Sequence, residues 1–340
     1  MEKIKPQPES PKPPRKPTRL MRFNMFFRKY MTLWVFTSIF LGLAFGYEAP
    51  KIKLSFLVLP LVFLMIYVMI IPTQFSLFIR VLRSPKEVLL GLLTILVVAP
   101  LIAFAVSSLT LSDHSLITGF VLAGAVPPGG MNAAWTGLLG GNAPLAIVLQ
   151  ALTLIISVVQ VPYTLKFLVG TYVEIPVGLL MRSLSVLVFL PLTAGFLTRW
   201  AIFKVTTEEE FDEFRPLFPV LSGMSALAVV FIAASLQARR MVQNPSIISY
   251  ALISAIIFYI LLFFTGAIVS RLSRLNYENS IPVIYGGATK NLSIAIALAI
   301  AAFPNSSVVL GVIACFMVQM PIASVFFRVI PKILKPQNEV

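Results

Sequence analysis

The sequence predicts an all-α polytopic membrane protein, with ten transmembrane helices arranged as two inverted five-helix repeats. Three observations predict it. Hydrophobic residues make up 58% of the 340 and charged residues 12%, with a mean hydropathy of +0.92, well outside soluble composition. Apolar stretches near the length that crosses a bilayer, about 20 residues, recur ten times. Short motifs repeat between the two halves at a nearly constant offset.

Taken in order, residues 1–30 are rich in proline and basic side chains and lack apolar periodicity. They are expected to form a disordered tail near anionic lipid. Pro14 and Pro17 make only a weak PxxP match, and the leader has the wrong shape for a signal peptide. Apolar segments follow at 31–48, 54–79, 86–110, 115–139 and 143–170, and then at 175–198, 217–237, 246–270, 281–303 and 306–331.

The net charge of +14 follows this pattern. With the N-terminus inside, 20 basic residues fall in cytoplasmic regions and four outside: Lys51, Lys53, Arg239 and Arg240. That asymmetry places both termini in the cytoplasm. The lipid bilayer is therefore the expected partner and nucleic acid is not. Lys166 and Arg182, near outer helix ends, are expected to snorkel to the interface. His114 reads as a solvated loop residue. A single cysteine, Cys315, excludes an intramolecular disulfide and a multi-cysteine metal site. Neither a cofactor nor a metal is expected.

The repeat appears as Val159-Gln160-Val161-Pro162 and Val318-Gln319-Met320-Pro321, 159 residues apart. Asn132 and Asn291 share that offset, and Ser84-Pro85 and Asn244-Pro245 are 160 apart. Halves of five spans, 31–170 and 175–332, must lie inverted in the membrane, which is a secondary-transporter architecture.

The expected site lies where both halves are interrupted. The fourth segment contains Pro127-Pro128-Gly129-Gly130 and the ninth contains Gly286-Gly287-Ala288-Thr289-Lys290-Asn291. Proline and glycine break helices. Paired interruptions in matching positions point to a transporter's binding site, and half-helix N-termini favour anions. Lys290 is the central residue. An ammonium at mid-bilayer costs about 2.5–3.5 kcal/mol and faces a cavity or a partner. No aspartate or glutamate accompanies it in the interior of an apolar segment; Glu48 and Glu87 stand at segment ends.

Lys290, Thr289, Asn291, Asn132, Gly129 and Gly130 are thus the candidate substrate-binding residues. Pro127, Pro128, Gly286 and Gly287 are the helix-breaking positions. Asn132 and Asn291 are also suited to capping the broken ends. Gln160 and Gln319 serve either as interhelical hydrogen-bonding groups or as ligand contacts. Thr94, Gln150 and Thr153 are further lining candidates, and Cys315 reads as a small core residue.

Three stretches carry a family resemblance: Gln74 to Pro100, with Arg80-Val81-Leu82-Arg83-Ser84-Pro85; Pro128-Gly129-Gly130 followed by Gly141-Asn142; and Thr289-Lys290-Asn291. Over roughly 30–335 the chain resembles the bile acid/sodium symporter superfamily with its arsenite-efflux relatives. The resemblance implies a panel domain (segments 1, 2, 6, 7), a core domain (3, 4, 5, 8, 9, 10), crossed segments 4 and 9, and alternating access. It also implies where ion ligands would stand. The family's sodium-binding glutamate falls at Gly286, its neighbouring glutamine at Lys290 and the glutamine of segment 3 at Ile95. Its serine–asparagine pair falls at Ala133-Ala134, and the polar ligands of segment 5 fall at Ala146 and Gln150. A hard cation needs oxygen ligands and usually carboxylate charge, so these sodium sites look dismantled, with the Lys290 ammonium in a sodium ion's place.

The region from Val161-Pro162 through Thr193–Arg199, and Ser293–Ala297, is closer to the arsenite-efflux branch. That branch carries a cysteine where this chain has Pro127 or Pro128, and without a thiolate trivalent arsenic loses its soft ligand.

The function expected is secondary transport of a small organic anion across the plasma membrane, independent of sodium and either facilitated or proton-coupled through Lys290. Arsenite or metalloid efflux and sodium-coupled organic-acid symport are the alternatives. An intramembrane enzyme would need a Ser–His or paired-Asp arrangement, which is missing. A channel fits an inverted repeat less well than a carrier does.

Overall fold

The structure is a computed structural model that describes residues 18–73, 81, 84–304 and 306–334. The Pro14/Pro17 motif, Gln74, Arg80, Arg83 and Lys335 lie outside the described residues.

Helix α1 (Arg19–Lys29) corrects the expectation of a tail disordered through residue 30. Thr18 ends the proline-rich run and caps the helix, accepting from the Met21 N–H at 3.2 Å. Phe27 is buried, and the Asn24 side chain donates to the Pro216 carbonyl. The part of this stretch that the structure describes is therefore a helix docked on the chain near Pro216.

Helices α2 (Met31–Glu48) and α3 (Val58–Ile70) follow. Helix α4 (Pro85–Leu93) passes through a π-helical stretch, Thr94–Val98, into α5 (Ala99–Thr110). Next come α6 (His114–Ala125), α7 (Met131–Leu138), α8 (Ala143–Val169) and α9 (Val177–Ile202). A short helix, α10 (Glu208–Phe214), opens on a capping box between Thr207 and Glu210. The rest are α11 (Leu217–Gln243), α12 (Pro245–Leu272), α13 (Tyr277–Ala288), α14 (Leu292–Ala302) and α15 (Val308–Leu334).

Among the described residues, seven helices are long and apolar enough to cross a membrane, and three shorter ones are apolar: Ser55–Ile70, His114–Ala125 and Leu292–Ala302. Several limits differ from the apolar windows, and two show why. Helix α13 starts at Tyr277 rather than 281, because Asn276 caps a polar first turn by accepting from the Asn279 N–H at 2.9 Å. Helix α11 continues past 237 through Arg239 and Arg240, since hydropathy ends before the backbone hydrogen bonds do. His114 is the first residue of α6 rather than a loop residue; its neighbour Asp113 caps the helix.

The helices pack in two groups that also touch each other directly, most of all through α8 and α9. Helices α2, α3, α9 and α11 pack on one another, and α4, α5, α6, α8, α12, α13 and α15 form a second group. Helix α14 sits on the seam, touching α15 and α6 on one side and α3, α9 and α11 on the other. Small residues allow the closest approaches. Gly42 and Gly46 of α2 face the Phe231 and Ser235 carbonyls of α11 with no room for a Cβ, and Gly119 of α6 meets Gly311 of α15 in the same way.

Candidate functional site

The two interrupted segments cross at their breaks. Helix α6 ends at Ala125, Val126 is extended, and α7 begins at Met131. Helix α13 ends at Ala288 and α14 begins at Leu292. A single antiparallel β-bridge joins Pro128 to Lys290. The Gly129 N–H donates to the Thr289 carbonyl at 2.9 Å, and the Asn291 N–H donates to the Pro127 carbonyl at 2.8 Å. Non-helical backbone at membrane depth needs such partners, and here each break supplies the other's.

Gln319 locks the second break. Its Oε1 accepts from the Lys290 N–H at 2.9 Å, and its Nε2 donates to the Lys290 carbonyl at 3.1 Å. The buried Tyr259 hydroxyl donates to the same Oε1 at 3.1 Å. Gln319 is thus interhelical glue that also borders the cavity described below. Its repeat mate Gln160 is glue elsewhere, donating to the Leu96 carbonyl at 3.0 Å and to Thr164 Oγ1 at 2.9 Å.

Lys290 is 2% exposed, and its Nζ donates to the Ile95 carbonyl at 2.9 Å. That carbonyl is free for a reason written in the sequence. In the π-helical stretch the Ala99 N–H reaches back five residues to the Thr94 carbonyl. The next residue in that register, the one that would serve Ile95, is Pro100, which has no N–H. The lysine therefore occupies a carbonyl that a proline has released.

Nearby, Asn132 is fully buried. Its Nδ2 has no partner among the described residues, and its Oδ1 accepts from the Thr136 hydroxyl at 3.5 Å. A Cβ added at Gly286 would lie 3.2 Å from that Nδ2 and 3.1 Å from Ile95 Cδ1, so these three residues are neighbours. Neither asparagine caps a broken end: α7 and α14 begin without a side-chain cap. Among the described residues, the Gly130, Met131 and Ser293 N–H groups find no backbone acceptor.

A cavity of about 400 Å³ opens on this crossing. It is bordered by Gly129, Gly130, Thr289, Lys290, Asn291 and Gln319. The remaining sequence candidates do not line it. Asn132, Gly286 and Ile95 lie together away from it, Thr94 Oγ1 is turned to the Leu90 carbonyl at 2.8 Å, and Gln150, Thr153, Pro127, Pro128 and Gly287 are also off its surface. The other wall belongs to the opposite helix group, through residues such as Arg28, Met31, Met65 and Ser222. Sequence reasoning missed these. The spacing of Phe23, Phe27 and Met31 after Thr18 was the available signal for the helix that carries Arg28.

A second cavity, of about 410 Å³, lies at the other end of α2. It is bordered by Gly46 and Lys53, by Ser235, Arg239 and Arg240 of α11, and by Ile300 and Val309. The two cavities thus flank one seam between the same two helix groups, and neither lining contains an acidic side chain.

Residues 59–244 match the Sodium Bile acid symporter family. The chain is 26% identical over 321 residues to the arsenical-resistance protein Acr3 of Alkaliphilus metalliredigens, covering 87% of this chain and 90% of that protein. It is 21% identical to the uncharacterized sodium-dependent transporter YocS of Bacillus subtilis, covering 82% and 84%. Identity to the probable sodium/metabolite cotransporter BASS1, chloroplastic, of Arabidopsis thaliana is 27%, over 66% of this chain and 54% of that one.

Proposed function

The chain belongs to the sodium bile acid symporter family of membrane transporters, and we propose that it carries a small organic anion by alternating access without sodium, with the Lys290 ammonium in the place of a sodium ion. The observation that carries this reading is the Lys290 Nζ on the Ile95 carbonyl, 2.9 Å apart, in a buried group that contains no carboxylate. A sodium ion needs several oxygen ligands. Gly286 offers none from its side chain, and Asn132 turns an unpartnered Nδ2 toward it. A fixed ammonium supplies the missing positive charge.

The mechanism follows from how the site is divided. Lys290 holds the ninth segment to the third through Ile95, and Gln319 fixes its backbone. The charge is therefore stationary within its own helix group. Thr289, Asn291 and the Gly129–Gly130 backbone border the cavity, where open N–H groups and helix starts favour an anion. Rocking one helix group against the other would close this cavity and open the second. The ten-span inverted repeat, with α2, α3, α9 and α11 as panel and the rest as core, gives that motion its symmetry. We place the carrier in the plasma membrane with both termini in the cytoplasm, on the strength of the 20-to-4 charge split.

One rival reading has a specific observation in its favour: the likeness to a protein named for arsenical resistance. Metalloid efflux would need a soft ligand at the crossing. The one thiol, Cys315, is fully buried in α15 and off the cavity.

The test is thermal unfolding of the detergent-solubilised protein against carboxylates, sulfonates, steroid acids and arsenite, each in sodium and in choline. A ligand that binds only the native state raises the melting temperature. Stabilisation by an organic anion should be equal in the two salts and lost in Lys290→Met, which keeps most of the side-chain volume. A requirement for sodium would end the lysine-for-sodium reading. Stabilisation by arsenite alone would establish the rival.

A further inference from the structure

The Arg28 side chain lines the same cavity as the crossing, on the opposite wall. It is carried by α1, which is tied down at two places: the Asn24 side chain on the Pro216 carbonyl, and Phe27 against Gly223. Among the described residues no carboxylate pairs with the Arg28 guanidinium and no carbonyl accepts from it. A half-buried cation without a counter-charge, held at a cavity wall, is an incomplete ion pair. The fold places it there at a desolvation cost that a bound anion would offset.

The rest of the cavity gives the anion a shape. Met31, Met65, Met69, Met131 and Met320 line it. Thioether side chains are flexible and polarizable and form conformable apolar walls. The other cation of the lining, Lys290, already donates to the Ile95 carbonyl. The cavity therefore offers one uncommitted guanidinium beside a large apolar surface.

We propose that Arg28 is a substrate-binding residue. It takes the oxyanion of an amphipathic monocarboxylate whose apolar body lies against the methionines, and it selects one anionic group rather than two. This deepens the anion-carrier reading and rests on it. It also gives the N-terminal helix a function: α1 brings to the site a second positive charge, on the wall opposite Lys290. The planar guanidinium donates two parallel hydrogen bonds to a carboxylate, which an ammonium does less well.

The experiment uses the full chain in detergent with six probes: 4-phenylbutanoate, 4-methylpentanoate, their neutral amides, adipate, and the alkyl sulfonate hexanesulfonate. Apparent dissociation constants come from the ligand dependence of the melting temperature. At least one monocarboxylate should bind, with its amide and adipate much weaker. Arg28→Gln should weaken that binding by about tenfold or more, the weight of a lost charge-assisted pair. Arg28→Lys, which keeps the charge on the same helix, should recover part of it and so separates charge from packing. Equal constants in wild type and Arg28→Gln would overturn the assignment of Arg28 while leaving the anion carrier intact. Tighter binding of adipate, or of an alkyl sulfonate when both monocarboxylates fail, would overturn the substrate class. If no anion acts on the wild type, the carrier reading falls with it.

Discussion

The two helix breaks stand at matching places in the sequence and are built on different principles. The first, Val126 to Gly130, is made by residues that cannot continue a helix: two prolines, then two glycines. Of its residues, only the Pro127 carbonyl and the Gly129 N–H bond to the second break. The second, Thr289 to Asn291, has no proline or glycine, and its conformation is imposed from outside by Gln319, by the Ile95 carbonyl and by the first break. A break made by local sterics forms wherever its sequence goes. A break held by tertiary contacts forms only when the fold is complete, so chemistry and assembly are joined at Lys290.

The sharpest way to break this comparison is to remove each half's glutamine. Gln319→Leu leaves the buried Lys290 N–H and Tyr259 hydroxyl without partners, while the Lys290 carbonyl keeps the Leu292 N–H. At about 1–3 kcal/mol for each orphaned group, the unfolding free energy in mixed micelles should fall by roughly 3 kcal/mol. Gln160→Leu removes side-chain bonds that lie away from either break, and the loss should be near the ~0.6 kcal/mol average for membrane hydrogen bonds. Equal losses would mean that the second break supports itself.

The first break can be probed by filling its glycines. A Cβ at Gly130 would press on the terminal methyl of Met69, a flexible group that can move aside, and one at Gly129 has nothing nearer than 3.7 Å. Gly130→Ala should therefore cost less than about 1 kcal/mol and Gly129→Ala still less, both read by the same unfolding assay. A large loss at either would show that glycine, rather than proline and the cross-pairing, builds the break. The smallest effect should come from Asn132→Leu. Its Nδ2 makes no hydrogen bond and its Oδ1 only a long one at 3.5 Å, so the melting temperature should move by a degree or two while anion-dependent stabilisation reports any role for the amide.

The first break was legible in the sequence because its cause is local. Pro127-Pro128-Gly129-Gly130 needs no partner to be read. Lys290 was legible because a charge in an apolar run is conspicuous. Its destination was not, because the Ile95 carbonyl becomes free through a shift in hydrogen-bond register that leaves no trace beyond Pro100. Asn132 and Asn291 looked like caps because the residue type fits, but capping depends on side-chain direction, and neither helix start has one. Helix α1 was missed because the proline-rich run before it dominated the composition of residues 1–30, and its folded state depends on docking at Pro216 and Gly223. The long spans were easier to place, since burial in lipid is read by hydropathy alone, although their polar ends at Tyr277 and Gln243 were not.

The crossing itself is held by main-chain atoms. The Gly129 N–H, the Thr289 carbonyl, the Asn291 N–H and the Pro127 carbonyl would make the same bonds under almost any side chains at 289 and 291. The scaffold is thus indifferent to the identity of the residues it presents. Lineages descending from such a chain can exchange the groups displayed at the crossing, and with them the cargo, without renegotiating the fold. Divergence in specificity should therefore outpace divergence in architecture at this one place in the molecule.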